Sequence, residues 1–136
     1  MSAPHTILFD MLRAFSSEGP GSVSLTATPA GVQIPDERFI MLVRPTWGLV
    51  DNILILPPAV PGRIVIIAGA ATGGELRTQS PNAISINGTG AGQGTAAESA
   101  IPANTMVIAI CESPTNWKAF QLAQAGTPAA VQVAAN

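Results

Sequence analysis

The chain has 136 residues, 47% of them hydrophobic and only 10% charged, with a formal net charge of −2. Its basic residues, Arg13, Arg38, Arg44, Arg63, Arg77 and Lys118, stand singly, and with 4% aromatics they exclude the basic, base-stacking surface that nucleic acid needs. A single cysteine and a single histidine exclude an intrachain disulfide and a Cys- or His-rich metal site. Soluble domains carry about 25% charged residues. A chain with far fewer, and a mean hydropathy of +0.37, is expected to hide much of its surface against copies of itself or a large scaffold.

Residues 1–21 read as an N-terminal arm. Ile7, Leu8, Met11, Leu12 and Phe15 recur at the spacing of one helix face, and Ser16-Ser17-Glu18-Gly19-Pro20-Gly21 ends the run. A helix this short is marginal in water and needs a surface, either the rest of its own chain or a neighbouring molecule. Residues 22–122 read as the folded domain. Val23, Leu25 and Ala27 alternate with Ser24, Thr26 and Thr28, the pattern of a half-buried strand. The stretches 39–43, 53–56 and 64–67 are short unbroken apolar runs bounded by Pro35-Asp36, Pro45, Pro57-Pro58, Pro61-Gly62 and Gly69. Strands buried on both faces read this way. Ile84-Ser85-Ile86 runs into Asn87-Gly88, a strong hairpin signal. The stretch 89–100 reads as a surface loop, and 106–111 and 117–120 as the last strands. Residues 123–136 form an extended tail of mostly small residues that, if ordered, is expected to lie on a neighbour. Strands at this spacing predict an all-β fold: a β-sandwich, a β-prism or a short β-solenoid-like domain.

Chemistry-bearing residues do not gather. His5 lies near a terminus, and Cys111 has no second histidine to activate it, so it reads as a core thiol. Asp36-Glu37 reads as a solvated turn. A glycosidase pair would have to come from Glu75, Glu98 and Glu112, which are far apart in sequence. Gly88-Thr89-Gly90-Ala91-Gly92 follows a strand but precedes no helix pattern, so the context for a phosphate cradle is missing. No catalytic residue, cofactor or metal is expected. Arg44 and Trp47 are of the residue types that dominate interface hot spots, and either anchor an interface or leave Trp47 capping the core. No apolar run approaches the ~20 residues of a membrane span, and the first ten residues do not read as a secretory signal. The expectation is a protein made in a reducing cytoplasm with no membrane partner.

From Ile53 to Trp117 the order of signals resembles the repeating β-layers of bacteriophage structural proteins, both trimeric tail fibres and head decoration proteins. The carriers are Leu56-Pro57-Pro58-Ala59, Pro61-Gly62-Arg63 with the strand after it, Ile86-Asn87-Gly88, Ile101-Pro102-Ala103-Asn104-Thr105, and Ser113-Pro114-Thr115-Asn116-Trp117. The motif is turn chemistry: positive φ at Asn-Gly, prolines where a strand leaves its sheet, and a large apolar cover in Trp117 with an indole N–H to place. With an arm and a tail around one short domain, the chain is more similar to a capsid decoration (cement) protein than to a fibre segment. The resemblance implies a homotrimer bound to the major capsid protein on the outer head surface of the virion, stabilising the lattice through arm, tail and trimer base. It also implies interface roles for Ile7, Leu8, Met11, Leu12, Phe15, Arg44, Trp47 and Trp117. The alternative is a tail fibre, spike or baseplate segment that binds host glycans.

Overall fold

The computed structural model describes residues 19–88, 98–123, 128–130 and 132–133. The expected arm helix, with Ile7, Leu8, Met11, Leu12 and Phe15, lies outside the described residues, as do His5 and most of the 89–100 loop. What is described is all-β.

The first six strands are β1 (Gly21–Thr26), β2 (Val32–Gln33), β3 (Ile40–Thr46), β4 (Ile53–Ile55), β5 (Ile64–Ile67) and β6 (Gly74–Arg77). They alternate between two sheets. β1, β3 and β5 lie side by side and parallel in the first, and β2, β4 and β6 do the same in the second. Each strand is thus laid beside the one deposited a full coil earlier. The pairs Gly21↔Met41, Met41↔Val65, Val32↔Leu54 and Leu54↔Leu76 give a coil of about 20–24 residues, the spacing of a solenoid. Of the three architectures that the sequence allows, the coils are the solenoid-like one. Parallel neighbours need such a crossover, and here the opposite sheet supplies it.

The rest of the chain closes the stack in antiparallel fashion. β8 (Ser99–Ile101) pairs with β6, β9 (Thr105–Ser113) with β5, and β10 (Asn116–Ala123) with β9. The short β7 (Ser85–Ile86) runs parallel to β10. β11 (Pro128–Ala130) and β12 (Gln132–Val133) then pair with β10 and β8 of the same chain. These two pieces of the tail therefore extend the chain's own sheets, where the sequence suggested a neighbour. Backbone pairing with a free strand edge is available to any extended segment, whatever its side chains.

One core joins the two sheets. Met41, Val43, Val65, Ile67, Val107 and Ala109 point inward from the first sheet and meet Leu54, Leu76 and Ile101 from the second. Trp47 and Trp117 are fully enclosed in this core. Trp47 lies flat on β6: a Cβ at Gly74 would sit 2.0 Å from its ring, so only glycine lets the indole reach that depth. The turn into β5 is a Pro-Gly turn, with Arg63 N–H donating to the Val60 carbonyl at 3.0 Å and Gly62 at φ 91°, as a type II turn requires.

Of the three unbroken apolar runs, 53–56 is buried on both faces, with Ile53, Leu54 and Leu56 all buried, but the two runs in the first sheet are not. In β3 and β5 alternate residues are buried while Ile40, Leu42, Ile64 and Ile66 are only half-buried on the opposite side. The runs are unbroken because the outward face of the first sheet is itself apolar.

Candidate interaction surface

The strand registers place the outward residues in rows. One row runs Ser22, Leu42, Ile66, Ile108 and Phe120 across five strands. The next runs Ile40, Ile64, Ile110 and Lys118. On the other side of the first row, Met106 pairs with Leu122. Phe120 is 49% exposed and Ile110 36%; Ile40, Leu42, Ile64, Ile66, Met106, Ile108 and Leu122 are half-buried, and Ser22 and Lys118 are exposed at the ends of the rows. Beyond Met106 and Leu122 the face dips into an open groove of about 360 Å³, completed by Gly69, Asn104 and Ala123. Contiguous apolar faces of this kind mark interaction sites in folded proteins.

Its borders are polar. Arg44 reaches sideways from β3, its guanidinium donating to Ser24 Oγ at 3.2 Å and Ser22 Oγ at 3.0 Å, so it lies over β1. At the opposite corner the Lys118 ammonium stands 3.9 Å from the Glu112 carboxylate, both half-exposed, and the Asn116 amide donates to Glu112 as well. An exposed pair of this kind contributes little stability. It does set a charged limit to the patch.

Arg44 therefore sits at the rim of this face, whereas Trp47, three residues on, turns into the core and offers a partner no surface. Trp117 is likewise interior, and among the described residues its indole N–H finds no acceptor. The residues that do form the face are Ile40, Leu42, Ile64, Ile66, Ile108, Ile110 and Phe120. None was singled out from sequence as an interface residue, although the unbroken runs 39–43, 64–67 and 106–111 carried the signal.

The signature turns lock to one another. Asn87 and Gly88 both have positive φ, 57° and 71°. The Asn87 side-chain amide donates to the Ala119 carbonyl at 3.0 Å and accepts the Ala119 N–H at 2.9 Å, so it continues the β-ladder of β10. The Gly88 N–H donates to Asn116 Oδ1 at 2.9 Å, and the Asn87 N–H to the Trp117 carbonyl at 2.7 Å. The two motifs, 86–88 and 113–117, are thus two halves of one clamp.

A second cluster lies on the outward side of the other sheet. Glu75 on β6 and Glu98, just before β8, are 5% and 8% exposed, and their carboxyls share a hydrogen bond. Burial, then that bond and the charges of Glu98 and Asp51, push the Glu75 carboxyl up to about 7. Arg77 stands 3.6 Å from Glu98 and donates to the Ala30 carbonyl at 3.2 Å. The adjoining pocket, about 300 Å³, is lined by Val50, Asp51, Gly73, Gly74, Glu75 and residues 100–103. Among the described residues that line it, Asp51 and Glu75 are the ionisable ones. Glu112 is on the other sheet, away from this pair.

Cys111 is buried, its thiol donates to the Ser113 carbonyl, and burial pushes its pKa up, the opposite of an activated nucleophile. Among the described residues no group of three or more His, Cys, Asp or Glu is placed to hold a metal ion, and no helix is long and apolar enough to cross a membrane. No family model, curated protein or solved structure matches this chain.

Proposed function

We propose that this chain is a structural subunit that acts by assembly rather than by chemistry: a decoration protein, bound as a homotrimer to the major capsid protein on the outer surface of a bacteriophage head. The observation that carries the assembly reading is the outward face of the first sheet. Its central row is aliphatic or aromatic across β3, β5, β9 and β10 and the next is aliphatic across β3, β5 and β9, at a cost in water of roughly 25 cal/mol for each Å² left exposed. A chain with 10% charged residues has little else with which to stay dispersed. The phage reading is supported by the resemblance, whose Ile86-Asn87-Gly88 and Ser113–Trp117 elements act here as one folding unit rather than as unrelated turns.

A second reading, a segment of a tail fibre or spike, is favoured by the parallel coil-on-coil stacking of β1 to β6, an arrangement that extends readily along an axis. Counting this protein against the major capsid protein in purified particles separates the two. Hundreds of copies in a simple ratio to the capsid subunit support decoration. A few to a few tens per particle move the protein to the tail, and absence from particles contradicts both.

A further inference from the structure

The outward face of the first sheet is too small to serve as a flat, two-fold contact. Four strands at ~4.8 Å and about five residues at ~3.3 Å give a patch of about 300 Å², whereas a stable pair buries about 800 Å² on each partner. A three-fold assembly also joins two different surfaces head to tail, not one surface to itself. A patch of this size suits a single short helix.

The sequence pattern predicts one in the arm. Its apolar positions Ile7, Leu8, Met11, Leu12 and Phe15 share a helix face. The stretch 7–15 as a helix is about 14 Å long and about 10 Å across, which fits inside the patch. We propose that residues 7–15 of one subunit seat as a helix on the outward sheet face of its neighbour, with Phe15 or Met11 entering the groove between Met106 and Leu122, so that three arms exchanged in a ring hold the trimer. This rests on the assembly reading above and names what fills the face.

Two features of the described residues direct the arm outward rather than back onto its own sheet. The arm joins the domain at Gly21, the start of β1, which is the edge strand. The chain between Phe15 and Gly21 can span up to about 20 Å, enough reach to cross that edge to a neighbour. In addition, the outward positions of β1 are the hydroxyls of Ser22, Ser24 and Thr26, with the Arg44 guanidinium bonded across the first two. This polar border lies between the arm's point of departure and its own apolar rows.

The test is disulfide trapping in the full chain, with Leu12→Cys and Ile108→Cys introduced together in a Cys111→Ala background. Oxidation is expected to give chains linked to one another, up to covalent trimers on a non-reducing gel. A monomer closed by an intrachain disulfide overturns the exchange, and so does a trimer that forms no disulfide. As a second measurement, Leu12→Glu/Phe15→Glu in the otherwise native chain is expected to leave the far-UV circular dichroism of the β-domain in place and to abolish the trimer by light scattering. A trimer that survives these charges refutes the arm while sparing the assembly reading. A wild-type chain that is monomeric at every concentration refutes that reading, and the exchange with it.

Discussion

Replacing Glu75 by Gln isolates the energetics of the buried carboxyl pair. In the unfolded chain a glutamate titrates near 4.5, and in the folded protein burial and Glu98 move Glu75 up to about 7. A folded pKa above the unfolded one means that the proton is held more tightly in the native state. Stability from this group is therefore complete below pH 4.5, falls as pH rises from 4.5 to 7, and is constant beyond. The difference corresponds to roughly 3 kcal/mol at most, and Glu75 is only 5% exposed, so solvent screening takes little from it. Gln has the same shape, cannot ionise, and keeps an N–H to offer Glu98. The variant should match wild type in urea unfolding at pH 4 and exceed it by about 1–3 kcal/mol at pH 8, at one fixed protein concentration. Groups that do not interact with Glu75 contribute equally to both proteins and cancel in the difference. Two parallel stability profiles between pH 4 and 8 would refute the reasoning and place Glu75 in contact with water.

Asn87→Ala removes both bonds to Ala119 and puts a Cβ residue without a compensating side chain at φ 57°, so the melting temperature should drop with a loss of about 2–4 kcal/mol. Asn87→Gly relieves the backbone but not the bonds, and should fall between the two. Gly74→Ala drives a methyl group into the Trp47 ring and should destabilise by at least ~1–3 kcal/mol, with Trp47 fluorescence shifted in whatever native state remains. Ile108→Ser/Phe120→Ser changes only outward positions, so monomer stability should move by less than about 1 kcal/mol while self-association measured by sedimentation is lost. Cys111 should react with a thiol reagent only as fast as the chain unfolds, because its thiol is buried and its pKa raised.

The strands and their turns were legible because each is written locally. Pro61-Gly62 specifies its turn, Asn87-Gly88 its positive φ, and the alternation in 23–28 its half-buried strand. The order of strands was not. β1 lies beside β3 because the sheets alternate, and no residue in either strand records that alternation. The same gap hid the site. Double-sided burial was read from 39–43, 53–56 and 64–67 and holds at 53–56, but which strands keep an open face in a single chain depends on which sheet each joins. Trp47 illustrates the reverse case: its residue type allowed either an interface anchor or a core cap, and the absence of a side chain at Gly74, 27 positions later, is what admits it to the core. Glu75 and Glu98 meet only because β6 and β8 pair, which spacing along the chain could not indicate.

The mass of the purified protein in solution, by light scattering across a hundredfold range of concentration, tests the central claim most directly. An assembly subunit is expected near three times the 13.8 kDa of the chain, about 41 kDa, and Ile108→Ser/Phe120→Ser should return it to the mass of one chain. A wild-type protein that stays at 13.8 kDa throughout, with the outward face of its first sheet bare, would contradict the account.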